Sequence, residues 1–127
     1  MKKKLYTAIG LMSGTSMDGV DLSIISSDGY DEFSNLFDDY YEYDKNLQDE
    51  LVRLRDLVFT KEDLLRNFEK LKELERNLTL FHANIVNQSL KNYRGPIDIV
   101  GFHGQTILHN LHWSSSDRVL ERGYVPY

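Results

Sequence analysis

The sequence has no cysteine, and only two prolines and one tryptophan among its 127 residues. Without cysteine there is no disulfide framework and no thiolate metal site, which suits a reducing compartment and leads us to expect a cytoplasmic protein. Positive charge is also short, with 15 Lys+Arg against 20 Asp+Glu and a net charge of -5. No basic excess exists to neutralise phosphate backbones, which argues against nucleic acid or an acidic membrane surface as a partner. No apolar run approaches the roughly 20 residues that a bilayer-spanning helix needs. Met1-Lys2-Lys3-Lys4 supplies the positive flank of a signal peptide. The apolar run behind it, Leu5 to Met12, is short, is broken by Gly10 and then Ser13-Gly14, and lacks a small-residue cleavage site. A buried strand behind a solubilising lysine cluster is the simpler reading.

What is present has globular proportions, 41% hydrophobic and 28% charged. A chain of 127 residues has the length of one ordinary domain. On folding, a domain of that size buries about two thirds of its unfolded surface. It is not long enough for two full domains with a ligand cleft between them.

Leu5 to Met12 is apolar and rich in β-formers, as a buried strand is. Ser13 to Gly19 is a turn of glycines and small polar residues. Val20 to Ser26 resumes a strand, with Val20, Leu22 and Ile24 alternating onto one face. Ser27-Asp28-Gly29 has a hairpin signature. Glu32 to Tyr43 is a third extended stretch, so the first 43 residues form a three-stranded antiparallel meander.

The middle of the chain is helical. Leu47, Leu51, Leu54 and Val58 share one helix face. Thr60 starts a second helix, with Asp63 placed to complete a capping box. Leu64, Phe68, Leu71, Leu74, Leu78, Phe81 and Ile85 then continue one stripe for about six turns. A coiled coil is the alternative for so long a stripe, but flanking strands and few heptads disfavour it. Gly95-Pro96 stops the helix with a glycine C-cap signal. Ile97 to Phe102 is a short β-branched apolar run, which after a long helix suits a parallel strand buried on both faces. From Asn110 the pattern loses its period. Leu111 to Tyr127 is expected to be weakly structured, with room for a one-turn helix at Asp117 to Glu121 capped by Ser116.

Two segments carry candidate chemistry. In Gly10 to Gly19, glycines permit close approach of backbone amides to an anion, and Thr15 and Ser16 add hydroxyl donors. It is not a Walker A loop, because no Lys follows and a strand comes next. By composition alone, an anion nest and a plain tight turn fit equally well. Gly14-Thr15-Ser16-Met17 also occurs around the nucleophile of subtilisin-like proteases, but here no His precedes Ser16 and an acidic residue follows Met17. The other segment, His103-Gly104-Gln105-Thr106, ends the last strand, where ligands of open α/β sheets collect. Its imidazole, amide and hydroxyl suit a sugar, and would equally suit local backbone groups at a turn. His109 and His112 lack an acidic partner for zinc. Asp38-Asp39, Asp49-Glu50 and the charged flank of the long helix read as solvated faces.

Together, Ile9 to Asp21 (IGLMSGTSMDGVD) and Gly101 to Ile107 (GFHGQTI) closely resemble the N-terminal part of anhydro-N-acetylmuramic acid kinases, over residues 5 to 110. The resemblance implies an α/β fold of the actin and sugar-kinase type (ribonuclease H-like). Its first lobe begins with the same order of meander, helices and parallel strand. It implies a reaction in which the 1,6-anhydro ring of anhydro-N-acetylmuramic acid is opened hydrolytically and O6 takes the ATP γ-phosphate, in bacterial cell-wall recycling. ATP and Mg²⁺ are the implied cofactors. Gly14, Thr15, Ser16, Met17, Asp18, Gly19, Val20 and Asp21 would cradle the ATP phosphates, and preorganised donors of that kind are most of what phosphoryl transfer asks of a protein. His103, Gly104, Gln105 and Thr106 would line the sugar side. The superfamily often has an Asp two residues before the Gly-Thr pair, where this chain has Met12.

The family pattern also runs on past this length, to a catalytic Asp, a Gly-rich segment and a second lobe that holds the adenine. On that resemblance, residues 1–110 are part of an N-terminal lobe, 111–127 are a divergent tail, and no catalytic or metal-ligating residue is assigned. The chain would be a family member cut short by a frameshift or early stop, or an artefact of gene prediction. A kinase-like continuation in one frame of the downstream DNA is the expectation, and its absence from all three would refute it. Two function classes follow: an amino-sugar kinase fragment inactive alone, or a non-catalytic remnant with at most weak phosphate binding. The unpaired edge of the last strand would offer a route to self-association.

Overall fold

The computed structural model describes residues 4–108. In chain order the described elements are β1 (Tyr6–Met12), β2 (Gly19–Ser27), β3 (Phe33–Glu42), α1 (Lys45–Leu57), α2 (Lys61–Arg66), α3 (Phe68–Asn92) and β4 (Ile99–Phe102). The strands form one mixed sheet in the order β3-β2-β1-β4. β1 to β3 are the antiparallel meander, and β4 joins β1 in parallel. This is the α/β arrangement that begins the first lobe of an actin-like fold. The expected weakly structured tail and its short helix lie outside the described residues, as do His109 and His112.

Period-two patterning puts Ile9 and Leu11 of β1 and Val20, Leu22 and Ile24 of β2 on one face of the sheet. That face packs on Leu47, Leu51 and Leu54 of α1 and on Leu71, Leu74, Leu78 and Ile85 of α3, in a single core. The first two helices begin where a side chain satisfies free backbone amides. Asp44 accepts from the Leu47 N–H, and Thr60 and Asp63 form the expected capping box at α2. At the β2–β3 hairpin, the Asp28 carboxylate accepts from the N–H groups of Tyr30, Asp31 and Glu32, while Gly29 takes a left-handed φ of 81°.

Three expectations are corrected. The long helical stripe is divided at Asn67, whose φ/ψ of -104°/18° leave the helical range and whose side-chain amide donates to the Asp63 carbonyl. An Asn competing for backbone acceptors in this way breaks the regular helix. The end of α3 does not use glycine as its cap. Tyr93 closes it in an extended conformation, its N–H on the Ser89 carbonyl. Gly95 instead makes room for the Tyr93 ring, since a Cβ there would collide with the phenol oxygen. Finally, β4 is not buried on both faces. All four of its residues are exposed, because it is the edge strand among the described residues and α3 only partly overhangs it.

Candidate functional site

β1 and β4 run parallel, so the segments that follow them emerge at the same end of the sheet. One is the turn 13–18 and the other is His103 to Thr106. Their backbones already touch, for the His103 N–H donates to the Leu11 carbonyl at 3.2 Å.

The turn has a buried side and an exposed side. Ser13 and Met17 face inward, at 3% and 1% exposure. Met17 is the only non-glycine residue with positive φ among the described residues, at 54°. A left-handed conformer is strained for such a side chain, and it persists only where surroundings over-determine it. Here the side chain is sunk in the core and the Met17 N–H donates to the Gly14 carbonyl at 3.2 Å. Thr15, Ser16 and Asp18 project into solvent. The Ser16 hydroxyl donates to the Asp18 carboxylate at 2.8 Å. That bond, followed by one from the Tyr40 hydroxyl, holds the Asp18 carboxyl below the usual carboxylate range, so the turn carries a fixed negative charge. Gly19 and Val20 are buried and Asp21 is exposed. A Cβ on Gly19 would collide with the Tyr40 hydroxyl and the Tyr41 carbonyl, both at 2.5 Å, so only glycine lets β2 leave the turn along β3.

Of the second set, His103 is exposed, Thr106 half-buried, and Gly104 and Gln105 buried. Gly104 takes a φ of 79°, which turns the chain inward after β4. That turn delivers Gln105, fully buried, beneath the first turn. Its Nε2 donates to the Gly14 carbonyl at 3.1 Å, and its Oε1 accepts from the Ser13 hydroxyl. Ser13 in turn accepts from the Tyr43 hydroxyl at 2.6 Å. Burial pushes the Tyr43 phenol up to about 12, so it remains a donor. Ser13 and Tyr43 were not singled out from the sequence. A buried Tyr needs a hydrogen-bond partner, but nothing in the spacing marks which residue 30 positions away supplies it.

The exposed hydroxyls and backbone of the turn suit phosphate oxygens. Among the described residues no group of three or more His, Asp or Glu could hold a metal ion. Magnesium keeps several waters and binds through one or two carboxylates plus substrate phosphates. The ionised Asp18 fits that mode and no larger cage.

The fold is an α/β arrangement with a mixed four-stranded sheet, compatible with an incomplete first lobe of the actin-like ATPase class. A family model described as anhydro-N-acetylmuramic acid kinase matches residues 6–120, past Asn110, and the chain belongs to that family. It is 50% identical over 117 residues to an anhydro-N-acetylmuramic acid kinase of Pelagibacter ubique (strain HTCC1062), an alignment covering 92% of this chain and 31% of the relative. A protein of the same name from Agrobacterium fabrum (strain C58 / ATCC 33970) is 41% identical over 109 residues, covering 84% of this chain and 29% of the relative. The corresponding Rhizobium etli (strain ATCC 51251 / DSM 11541 / JCM 21823 / NBRC 15573 / CFN 42) kinase is 40% identical over 106 residues, with 81% and 29% covered. The chain thus spans less than a third of the length of the curated relatives it matches. No helix among the described residues is long and apolar enough to cross a membrane.

Proposed function

We propose that this chain carries the phosphate-binding part of an ATP-dependent cytoplasmic kinase. In the complete enzyme that kinase opens the 1,6-anhydro ring of anhydro-N-acetylmuramic acid and phosphorylates O6. The observation that supports the reading most is the joining of two segments at the carboxyl ends of adjacent parallel strands, the position where open α/β sheets bind ligands. In this reading the backbone of Gly14 to Asp21 with the Thr15 and Ser16 hydroxyls faces the ATP phosphates, and His103 to Thr106 faces the sugar. Bound Mg²⁺ would neutralise phosphate charge. Asp18, already ionised, would attract that cation and would repel ATP in its absence.

In this reading residues 1–110 act as part of an N-terminal lobe, and the family match continues beyond them as far as residue 120. Turnover needs nucleotide, sugar and a base held together, and Asp18 is poorly suited as that base because Ser16 and Tyr40 hold its proton affinity down. The isolated chain is therefore expected to bind Mg-ATP weakly and to show no turnover. Calorimetry with Mg-ATP and a coupled ADP-release assay with anhydro-N-acetylmuramic acid test this. Sugar-dependent ADP release by the isolated chain would overturn the view that it is inactive alone. Complete absence of Mg-ATP binding would favour the alternative, a non-catalytic remnant. The edge of β4, which pairs with no further strand among the described residues, and its exposed Ile99, Val100 and Phe102 support the further reading that copies self-associate there. A concentration-independent monomer in sedimentation would refute it.

A further inference from the structure

Gln105 combines two properties that do not suit a direct ligand. Its side chain is fully buried, and its polar atoms are already engaged. Oε1 accepts from Ser13, and Nε2 donates to the Gly14 carbonyl at 3.1 Å and the Thr106 carbonyl at 3.4 Å. A substrate hydroxyl could take this amide only by unmaking buried hydrogen bonds, each of which costs the full desolvation of an orphaned group.

The same bonds have a direction. Tyr43 donates to Ser13, Ser13 donates to Gln105, and Gln105 donates to Gly14. The relay begins just after β3, passes through the loop after β1 to the loop after β4, and closes back on the loop after β1. Its last acceptor, the Gly14 carbonyl, is also the acceptor of the Met17 N–H, the bond that fixes the left-handed Met17. The conformation that presents the Thr15 and Ser16 hydroxyls therefore depends on a residue 91 positions away in the other motif.

We propose that Gln105 is a positioning residue for the 13–18 turn, with Ser13 and Tyr43 as its supports, so that the sugar-side and phosphate-side segments are one mechanical unit. The inference rests on the reading of that turn as the phosphate cradle. It implies that displacement of the loop after β4 is transmitted to the phosphate site through the Gly14 carbonyl.

Amide hydrogen exchange on the whole chain tests the positioning apart from nucleotide binding. Gln105→Met keeps the approximate volume and loses all three side-chain hydrogen bonds. The Met17 amide should then exchange about fivefold faster or more, the factor that loss of one hydrogen bond of about 1 kcal/mol gives. The amides of Leu22 and Ile24 in β2 should keep their protection. If Gln105→Met loses protection throughout, Tyr43→Phe serves instead, and should speed Met17 exchange about threefold with β2 unchanged. Unaltered Met17 exchange in whichever variant folds would overturn the proposal.

A parallel titration uses Mg-ATP. Binding to the parent that weakens at least ten-fold in Gln105→Met supports the coupling, and equal binding by both overturns it. If the parent binds no Mg-ATP while Met17 exchange still responds, the positioning role stands and the phosphate-cradle reading fails.

Discussion

β1 has two neighbours in the sheet, and they are held in opposite ways. β2 pairs with it over seven positions, from Tyr6↔Ser27 to Met12↔Asp21, and buries Val20, Leu22 and Ile24 to 1% exposure or less. β4 pairs over four positions, from Ala8↔Ile99 to Leu11↔Phe102, and leaves Ile99, Val100 and Phe102 about half exposed. Composition does not explain the difference, because β4 has no polar residue whereas β2 carries Asp21, Ser23, Ser26 and Ser27. α1 and α3 lie over β2, whereas only the margin of α3 reaches β4, through the His82 ring at 4.6 Å from that of Phe102. What fixes β4 is polar and lies at its ends. Asp98 exchanges two 2.8 Å bonds with the backbone of Thr7 at the start, and His103 and Gln105 tie it down at the finish. A strand can thus be placed accurately by its hydrogen bonds before a core covers it.

The largest effects should separate the two strands by burial. Leu22→Ala removes a side chain 1% exposed in a core that cannot collapse freely, and should cost about 2–5 kcal/mol in urea unfolding. Val100→Ala, at 53% exposure, should cost no more than about 1 kcal/mol. Equal losses would mean that something covers β4 in solution, and the comparison would break. Next come the glycines. Gly19→Ala forces a Cβ against backbone and phenol at 2.5 Å and should cost about 1–3 kcal/mol. Gly101→Ala meets nothing nearer than the Ile9 carbonyl at 3.7 Å. It should be neutral or stabilising by up to about 1 kcal/mol, because a glycine in a strand carries excess unfolded-state entropy. Then come the polar ties. Asp98→Ala should cost about 1 kcal/mol and raise exchange at the Thr7 amide, with β2 amides unaffected. Loss of protection in β2 as well would show that the two strands are not independently held.

The comparison also marks what the sequence could disclose. The meander was legible because Val20, Leu22 and Ile24 alternate and Gly29 marks the hairpin, and local patterning dictates both. The parallel strand was legible in type and order but not in burial, since an apolar run reports preference for a core and not whether a helix overlies it. The break at Asn67 hid inside an unbroken hydrophobic stripe, which side-chain periodicity alone cannot divide. Family motifs marked both site segments. The relay through Ser13, Tyr43 and Gln105 was hidden, because it joins residues 30 and 92 positions apart and depends on three-dimensional register. Burial was the property that motif reading could not supply, and burial is what divides Gln105 from the exposed Thr15 and Ser16.

The smallest expected effect concerns the one place where α3 does reach β4. His82 is 3% exposed, its Nδ1 lies 2.8 Å from the Leu78 carbonyl, and its Nε2 has no hydrogen-bond partner among the described residues. Since a carbonyl only accepts, Nδ1 carries the proton in the neutral ring and Nε2 keeps a buried lone pair. Burial lowers the His82 pKa below 6.5, and the Leu78 carbonyl only partly offsets it. Above about pH 6.5 the ring is neutral in both folded and unfolded chains, and its contribution to stability is fully present. As pH falls below that value the unfolded chain takes up the proton first, so stability declines until the folded ring also titrates. Asp18, Asp28, Asp38 and Asp63 titrate in a separate window, because their folded values lie below 3.8 and their stabilisation is lost only as pH falls further. Urea unfolding at intervals between about pH 7 and 5 should therefore show a decline that is shallower in His82→Gln. Phe102→Ala should reduce it as well, because removing the ring from the 4.6 Å contact lets water reach the imidazole. If Phe102→Ala leaves the slope of the parent unchanged, β4 contributes nothing to the burial of His82, and its only ties to the rest of the molecule are polar.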